Sequence, residues 1–310
     1  MSAGPKLSVL MITYNHEKVV AQAIDSVLDQ DADFEFELVI GEDLSPDATR
    51  SIGQRYAESF PQKVKLLARE TNLGAIPNFV QTYNSCSGEY IALLEGDDFW
   101  TDPRKLQKQV DFLDQHKDVS LCHHAVTLQF DTDPTNFQNV FRRPTDVYST
   151  FDELLVQNFI ATCSVVLRRE QMEVLPDWFS GLNLGDWPLF ILLAEKGKVA
   201  FLPDEMATYR IHEGGIWSDK NAKFKLQSII EMYRRLNRHF EHRYDRRIRK
   251  QISKMYFELA RHCARQNELN ELSSYMDLSF REDLYPLLER PRELARLLIK
   301  RHGGTFARKK

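Results

Sequence analysis

Leu7-Ser8-Val9-Leu10-Met11-Ile12 is a short, nearly continuous apolar run, the pattern of a strand buried on both faces. It stops at the turn-prone Thr13-Tyr14-Asn15. Val19, Val20, Ala23, Ile24, Val27 and Leu28 then recur at helical spacing, up to about Gln30. The same exchange of periods repeats downstream. Strands are predicted at 36–40, 64–67 and 90–94, with helices at 48–59 and 76–85 between them. Strands alternating with helices of roughly 10 to 15 residues imply parallel pairing through right-handed crossovers, hence an α/β protein with a doubly wound, mostly parallel sheet.

Farther along, a helix is predicted from Pro103 to about His116 and a strand at 119–130. Residues 131–148 read as a polar connection with no clear period. Strands at 163–167, 199–202 and 206–211 follow, with a helix at 187–196. From Asp219 the strand signal ends, and Leu226, Ile229, Ile230, Tyr233 and Leu236 fall at helical spacing. The expected organisation is a catalytic or binding domain over 1–218 and a helical C-terminal region over 219–310. No repeat with a period of roughly 20 to 50 residues is present.

Composition adds one division. The 310 residues carry a formal net charge of −4, but 219–310 hold 23 Lys+Arg against 12 Asp+Glu, a net of +11. Residues 1–218 are left at −15. An acidic front and a basic tail suggest two jobs. The four cysteines (Cys86, Cys122, Cys163, Cys263) are widely spaced and form no CxxC pair, which fits reduced thiols. No export signal follows Met1, and no apolar stretch approaches the roughly 20 residues of a membrane span. The expected location is cytoplasmic, with any membrane contact peripheral, at the inner face.

In doubly wound sheets ligands bind beyond the carboxyl ends of the strands. The segments there are 13–15, 41–47, 69–74 and 95–100, all rich in polar residues. Glu95-Gly96-Asp97-Asp98 places three carboxylates in four residues directly after a buried strand, a costly arrangement unless solvent or a cation compensates it. Hard oxygen donors at that place suit Mg²⁺ or Mn²⁺. Asp186, in Asn183-Leu184-Gly185-Asp186-Trp187-Pro188, reads from its own segment as a helix cap. His123-His124 lie within a strand pattern whose neighbouring side chains face opposite ways, so a structural role is expected. Neither a Gly-x-Gly-x-x-Gly nor a Gly-Lys-Ser/Thr phosphate loop occurs, which removes the main support for dinucleotide oxidoreductases and P-loop enzymes.

Met11-Ile12-Thr13-Tyr14-Asn15, Gly41-Glu42-Asp43-Leu44-Ser45-Pro46-Asp47, Asn72-Leu73-Gly74 and Glu95-Gly96-Asp97-Asp98 occur in the order and at the spacings of glycosyltransferase family 2, which the chain resembles over residues 6 to about 218. The resemblance implies a GT-A, Rossmann-like fold and inverting transfer from a nucleotide-sugar donor. It implies that Thr13, Tyr14 and Asn15 line the nucleotide pocket. Asp43 would accept a hydrogen bond from the base, which favours uracil, with Glu42 replacing the family's first acid. Asn72 and Gly74 would sit beside the nucleotide or its diphosphate. Asp97 would bind the metal, with Asp98 assisting or touching the donor sugar. Glu95 stands where the family usually has Asp, contacting ribose or the metal's water shell. Asp186 would be the catalytic base. Tyr209-Arg210-Ile211-His212 followed by Gly214-Gly215 resembles the segment that closes over the diphosphate, with His212 on metal or phosphate and Trp217 covering the donor.

The expected activity is therefore a metal-dependent transfer from a nucleoside-diphosphate sugar, in the first place a UDP-sugar, to a glycan or lipid-linked glycan hydroxyl in surface polysaccharide synthesis. The rivals are a sugar nucleotidyltransferase and a non-catalytic binding module of the same fold. The basic tail lacks a nucleic-acid recognition motif, so no nucleic acid is expected. Arg292, Arg296, Lys300, Arg301, Arg308, Lys309 and Lys310, set among Leu294, Leu297, Leu298 and Ile299, resemble a basic amphipathic helix, suited either to an anionic membrane surface or to a second subunit.

Overall fold

The structure, a computed structural model, describes residues 4–130, 133–140, 147–212 and 220–301, with 133–140 described as backbone. Its first elements alternate as the periods predict: β1 (Leu7–Thr13), α1 (Val20–Leu28), β2 (Phe36–Glu42), α2 (Thr49–Ser59), β3 (Val64–Ala68), α3 (Ala75–Tyr83) and β4 (Tyr90–Glu95). The strands lie in the order β3-β2-β1-β4, every pair parallel. Because both faces of this sheet are covered, Val9, Leu38 and Ala92 are fully buried, and Val20, Ala23, Ile24 and Val27 of α1 join their core. Register then fixes the site. Thr13 pairs with Glu42 and Ile12 with Glu95, so the polar segments after β1, β2 and β4 leave the sheet along one edge.

The sheet continues through β5 (Phe99–Trp100), β6 (Val119–Phe130), β7 (Asp133–Val140), β8 (Tyr148–Ser149), β9 (Val166–Arg168) and β10 (Lys198–Ile211). Its path runs on from β4 as β9-β6-β10-β5, with β7 paired to β6 and β8 to β10. Here β6 and β10 are parallel, whereas β9 is antiparallel to both β4 and β6. α4 (Lys105–Gln115), α5 (Phe151–Val156) and α6 (Asp186–Lys196) complete the α/β part.

Four details differ from the sequence expectation. The strand expected at 163–167 begins only at Val166, because Thr162–Ser164 form a 3-10 turn. The strands expected at 199–202 and 206–211 are one, β10, with register shifts on either side of Glu205. The polar stretch 131–148 contains β7, which is held by backbone pairing to β6 and leaves no apolar trace. α5 is only six residues long, too short to show a period; a capping box makes it, with Thr150 Oγ1 accepting from the Glu153 N–H and Glu153 accepting from the Thr150 N–H.

Contacts divide the chain into two units, Met1–Gly181 with Gly185–Glu213, and Leu182–Leu184 with Gly214–Lys310. The second contains α7 (Ala222–His239), α8 (Asp245–Gln266), α9 (Leu269–Glu282), α10 (Tyr285–Glu289) and α11 (Pro291–Arg301). Phe257, Ala260, Cys263, Leu272, Met276, Tyr285, Leu294 and Leu297 form its core. This changes the reading of α11: Leu294 and Leu297 face the helical core and are closed to a lipid surface. Leu298, Ile299, Arg292 and Arg296 are exposed, while Arg301 pairs with Asp277 at 3.0 Å and Lys300 donates to the Ala264 carbonyl. Arg308, Lys309 and Lys310 lie outside the described residues. No helix among the described residues is long and apolar enough to cross a membrane. All four cysteines are buried and unbridged.

Candidate active site

The site is assembled along the carboxyl edge of β1, β2 and β4 and at the end of β10. After β1, Thr13 is buried, Tyr14 is 41% exposed, and Asn15 turns the chain with φ at 61°, a conformation Asn tolerates. The Asn15 N–H donates to Ser45 Oγ at 3.0 Å, tying this turn to the loop after β2.

The acids of that loop are engaged within the protein. Glu42 is fully buried; it accepts from the Ser45 N–H at 2.6 Å and pairs with the Arg50 guanidinium. Asp43 accepts from the Leu73 N–H at 2.8 Å and the Gly74 N–H at 2.9 Å, and its carbonyl accepts from the Asn72 amide at 2.8 Å. The Asn72-Leu73-Gly74 segment is thereby clamped to the loop, and Gly74, with φ at 84°, makes the turn into α3. The carboxylates of the Asp43 loop thus act first as organisers of a rigid wall.

Beyond β4 lies the acidic cluster. Asp98 is buried; its Oδ1 accepts from the Arg210 N–H at 2.9 Å, and its Oδ2 has no hydrogen-bond partner. Burial, then the charge of Asp97, push the Asp98 carboxyl well above its ordinary value. Burial likewise raises Glu95, helped by the negative charges of Asp97, Asp98 and Asp186. Asp97 goes the other way. Burial acts to raise it, but the hydrogen bond to His212 and the nearby imidazoles of His16 and His212 outweigh burial and hold it below the usual carboxylate range. His212 Nε2 lies 2.9 Å from Asp97 Oδ2, and Arg210, with its guanidinium 4.5 Å from the Phe99 ring centroid, donates to the Asp97 carbonyl at 2.5 Å.

Asp186 begins α6 but does not cap it; Gly185 is the capping residue. Asn158 Nδ2 donates to Asp186 Oδ2 at 2.8 Å, and burial raises the Asp186 carboxyl, against the lowering effect of the Trp187 N–H and Asn158. The Trp187 indole is turned away from solvent, donating to the Leu154 carbonyl at 2.7 Å. The negative charge of Asp186 contributes to the raising of Glu95. Trp217 lies outside the described residues.

Sequence reasoning missed His16 and Asn158. His16 Nε2 is 3.8 Å from Asp97 Oδ2, and His16, Asp97 and His212 each offer one ligand atom, all within 4.8 Å of one another. Glu95, Asp97 and Asp98 form a second such group. The signal for His16 was its place, three residues past the end of β1, beside the polar edge. These donors fit a divalent cation: two imidazoles and a carboxylate converge from three separate chain segments, and next to them an Asp98 oxygen is buried and unpartnered. Arg69, at the start of the 69–74 segment, donates to Asn78 Oδ1 and Thr82 Oγ1 at 2.9 and 3.1 Å.

The chain has relatives in sequence and in fold. Residues 8–173 match the family model of glycosyl transferase family 2, and the chain belongs to that family. An uncharacterized protein of Mycobacterium tuberculosis (strain H37Rv) is 39% identical over 214 residues, 68% of this chain and 60% of its own length; the chain thus spans 60% of that curated relative. The putative teichuronic acid biosynthesis glycosyltransferase TuaG of Bacillus subtilis is 29% identical over 241 residues, 76% of this chain and 90% of TuaG. Among solved structures, S. aureus TarS 1–349 in complex with UDP-GlcNAc superposes with a TM-score of 0.66 at 17% identity, covering 97% of this chain and 93% of that one. That likeness gives the sheet the GT-A plan.

Proposed function

We propose that the chain is an inverting, metal-dependent glycosyltransferase that moves a sugar from a UDP-sugar to a hydroxyl of a glycan or lipid-linked glycan in surface polysaccharide synthesis. The observation that carries it is the His212–Asp97 pair at the strand edge of a family 2 chain, beside Glu95, on which the charge of Asp186 acts. The name of TuaG supports the polysaccharide setting, and the UDP-GlcNAc held by TarS supports the donor class.

Asp97 and His212 would hold the cation, Mg²⁺ or Mn²⁺, with Asp98 and Glu95 beside it. When bound, it supplies positive charge against the leaving diphosphate. Thr13, Asn15, Asn72 and Gly74 form the nucleotide wall that Asp43 makes rigid, with exposed Tyr14 at its rim. Asp186 accepts the proton of the acceptor hydroxyl as that oxygen attacks the anomeric carbon, and Asn158 keeps its carboxylate oriented. The attacking oxygen enters opposite the departing diphosphate, so a single displacement inverts the centre.

The test is a panel of UDP- and GDP-sugars with glycan acceptors, with and without EDTA. UDP release that EDTA abolishes supports the reading. Pyrophosphate release from a sugar phosphate and a nucleoside triphosphate, or no turnover with any donor, would overturn it.

A further inference from the structure

A third side chain outside the family motifs points at the same place as Asp97 and His212. His16 is set there by its own segment. Its N–H donates to Thr49 Oγ1 at 2.8 Å, and its carbonyl accepts from the Val19 and Val20 N–H groups, both at 2.9 Å, at the start of α1. Its ring is held as well: Nδ1 lies 3.2 Å from Thr13 Oγ1, a contact that, with Nδ1–H as donor, leaves the Nε2 lone pair aimed toward Asp97. The ring meets that of His212 edge-on, with centroids 6.2 Å apart.

Gly96 makes room for this. A Cβ there would lie 2.5 Å from Thr13 Oγ1 and 3.0 Å from His16 Nδ1, so any larger residue would displace the pair that aims the imidazole. The glycine between Glu95 and Asp97 therefore serves His16 as much as its own turn. The His16, Asp97 and His212 side chains are 18%, 21% and 19% exposed, which leaves one side open for oxygen ligands from substrate and water.

We propose that His16 is a third protein ligand of the cation, and that the resulting two-imidazole, one-carboxylate set selects Mn²⁺ over Mg²⁺. The inference rests on the metal-dependent reading above and sharpens it. Mg²⁺ favours an all-oxygen shell and keeps its waters, whereas Mn²⁺, though the weakest binder of the first-row transition ions, gives up water more readily and accepts imidazole nitrogen beside carboxylate. A site built of Asp97 and neighbouring carboxylates alone would not discriminate in this way.

The experiment is a Mn²⁺ titration of the full chain followed by EPR, with pulsed measurements of nitrogen coupling and competition by Mg²⁺, and no sugar donor present. In the wild type two imidazole nitrogens should couple to the ion, and Mg²⁺ should displace it only at about 100-fold excess or more. His16→Ala should bind Mn²⁺ about 10- to 100-fold more weakly and show one coupled nitrogen. Gly96→Ala should weaken binding in the same direction while His16 is still present. Circular dichroism and thermal melting identify misfolded variants, and His16→Gln provides a polar replacement for one that fails to fold. Two nitrogens retained without His16, one nitrogen in the wild type, or equal competition by Mg²⁺ would overturn the proposal while leaving the metal-dependent transferase standing. A wild-type chain that binds neither ion would remove both.

Discussion

Lys105 gives a quantitative prediction. Its side chain is fully buried at the start of α4, its Nζ makes no hydrogen bond, and the ammonium lies 4.1 Å from the Trp100 ring centroid. Burial is the main cause that lowers it from 10.5 to about 7; the neighbouring Cys122 and Cys163 act weakly in the opposite direction. At about 1.4 kcal/mol per pH unit between those values, keeping the ammonium charged inside costs about 5 kcal/mol. Lys105→Met removes the charge, keeps the length, and places a thioether against the indole.

The sign with pH is fixed. Between pH 7 and 10.5 the unfolded chain keeps this proton and the folded chain has lost it, so stability rises with pH across that window. The penalty is complete below pH 7 and gone above 10.5. The variant should therefore melt higher by about 10 to 20 °C at pH 7 or below, given about 2–4 °C per kcal/mol for a unit of this size. The advantage should shrink steadily toward pH 10. Thermal melts of both proteins from pH 6 to 10 measure this. An advantage that does not change with pH, or a variant less stable throughout, would refute the account of a strained buried ammonium.

Four further outcomes follow from the site and the helical unit. Asp186→Asn should leave UDP-sugar affinity, measured by calorimetry, within about threefold and lower the transfer rate by roughly 10²- to 10⁴-fold. Asn158→Ala removes a hydrogen bond that holds the Asp186 carboxyl down, so the acidic limb of the kcat/KM profile should move to higher pH; an unmoved limb would separate Asn158 from the base. Thr150→Ala should cost about 1 kcal/mol in denaturant melts through loss of the α5 capping box. Anionic liposomes should bind the chain weakly, and Arg292→Glu with Arg296→Glu, both at exposed positions, should abolish the pelleting; equal pelleting of the double variant would rule out α11 as the contact.

What the sequence could show depended on where burial leaves a trace. β1, β2 and β4 lie between two covered faces, so their positions appear as apolar runs, and register then aligns the loops after them. β7 is held through its backbone and α5 through one capping box, and neither mode of stabilisation requires a periodic apolar face. The site shows the same limit at finer scale. Motif spacing could name Asp97, His212 and Asp186, because each stands in a conspicuous polar segment. It could not show that the Asp43 carboxylate also accepts from the Leu73 and Gly74 N–H groups and so holds the loop, because a ligand acid and a structural acid have the same letter. Nor could it connect His16 with Asp97, 81 positions away; only the register of β1 beside β4 places Ile12 against Glu95 and carries both loops to one edge. It follows that substitutions such as Gly96→Ala, which change no candidate ligand but remove the space those loops share, should discriminate a metal site from a chance acidic turn more sharply than removal of Asp98 or Glu95.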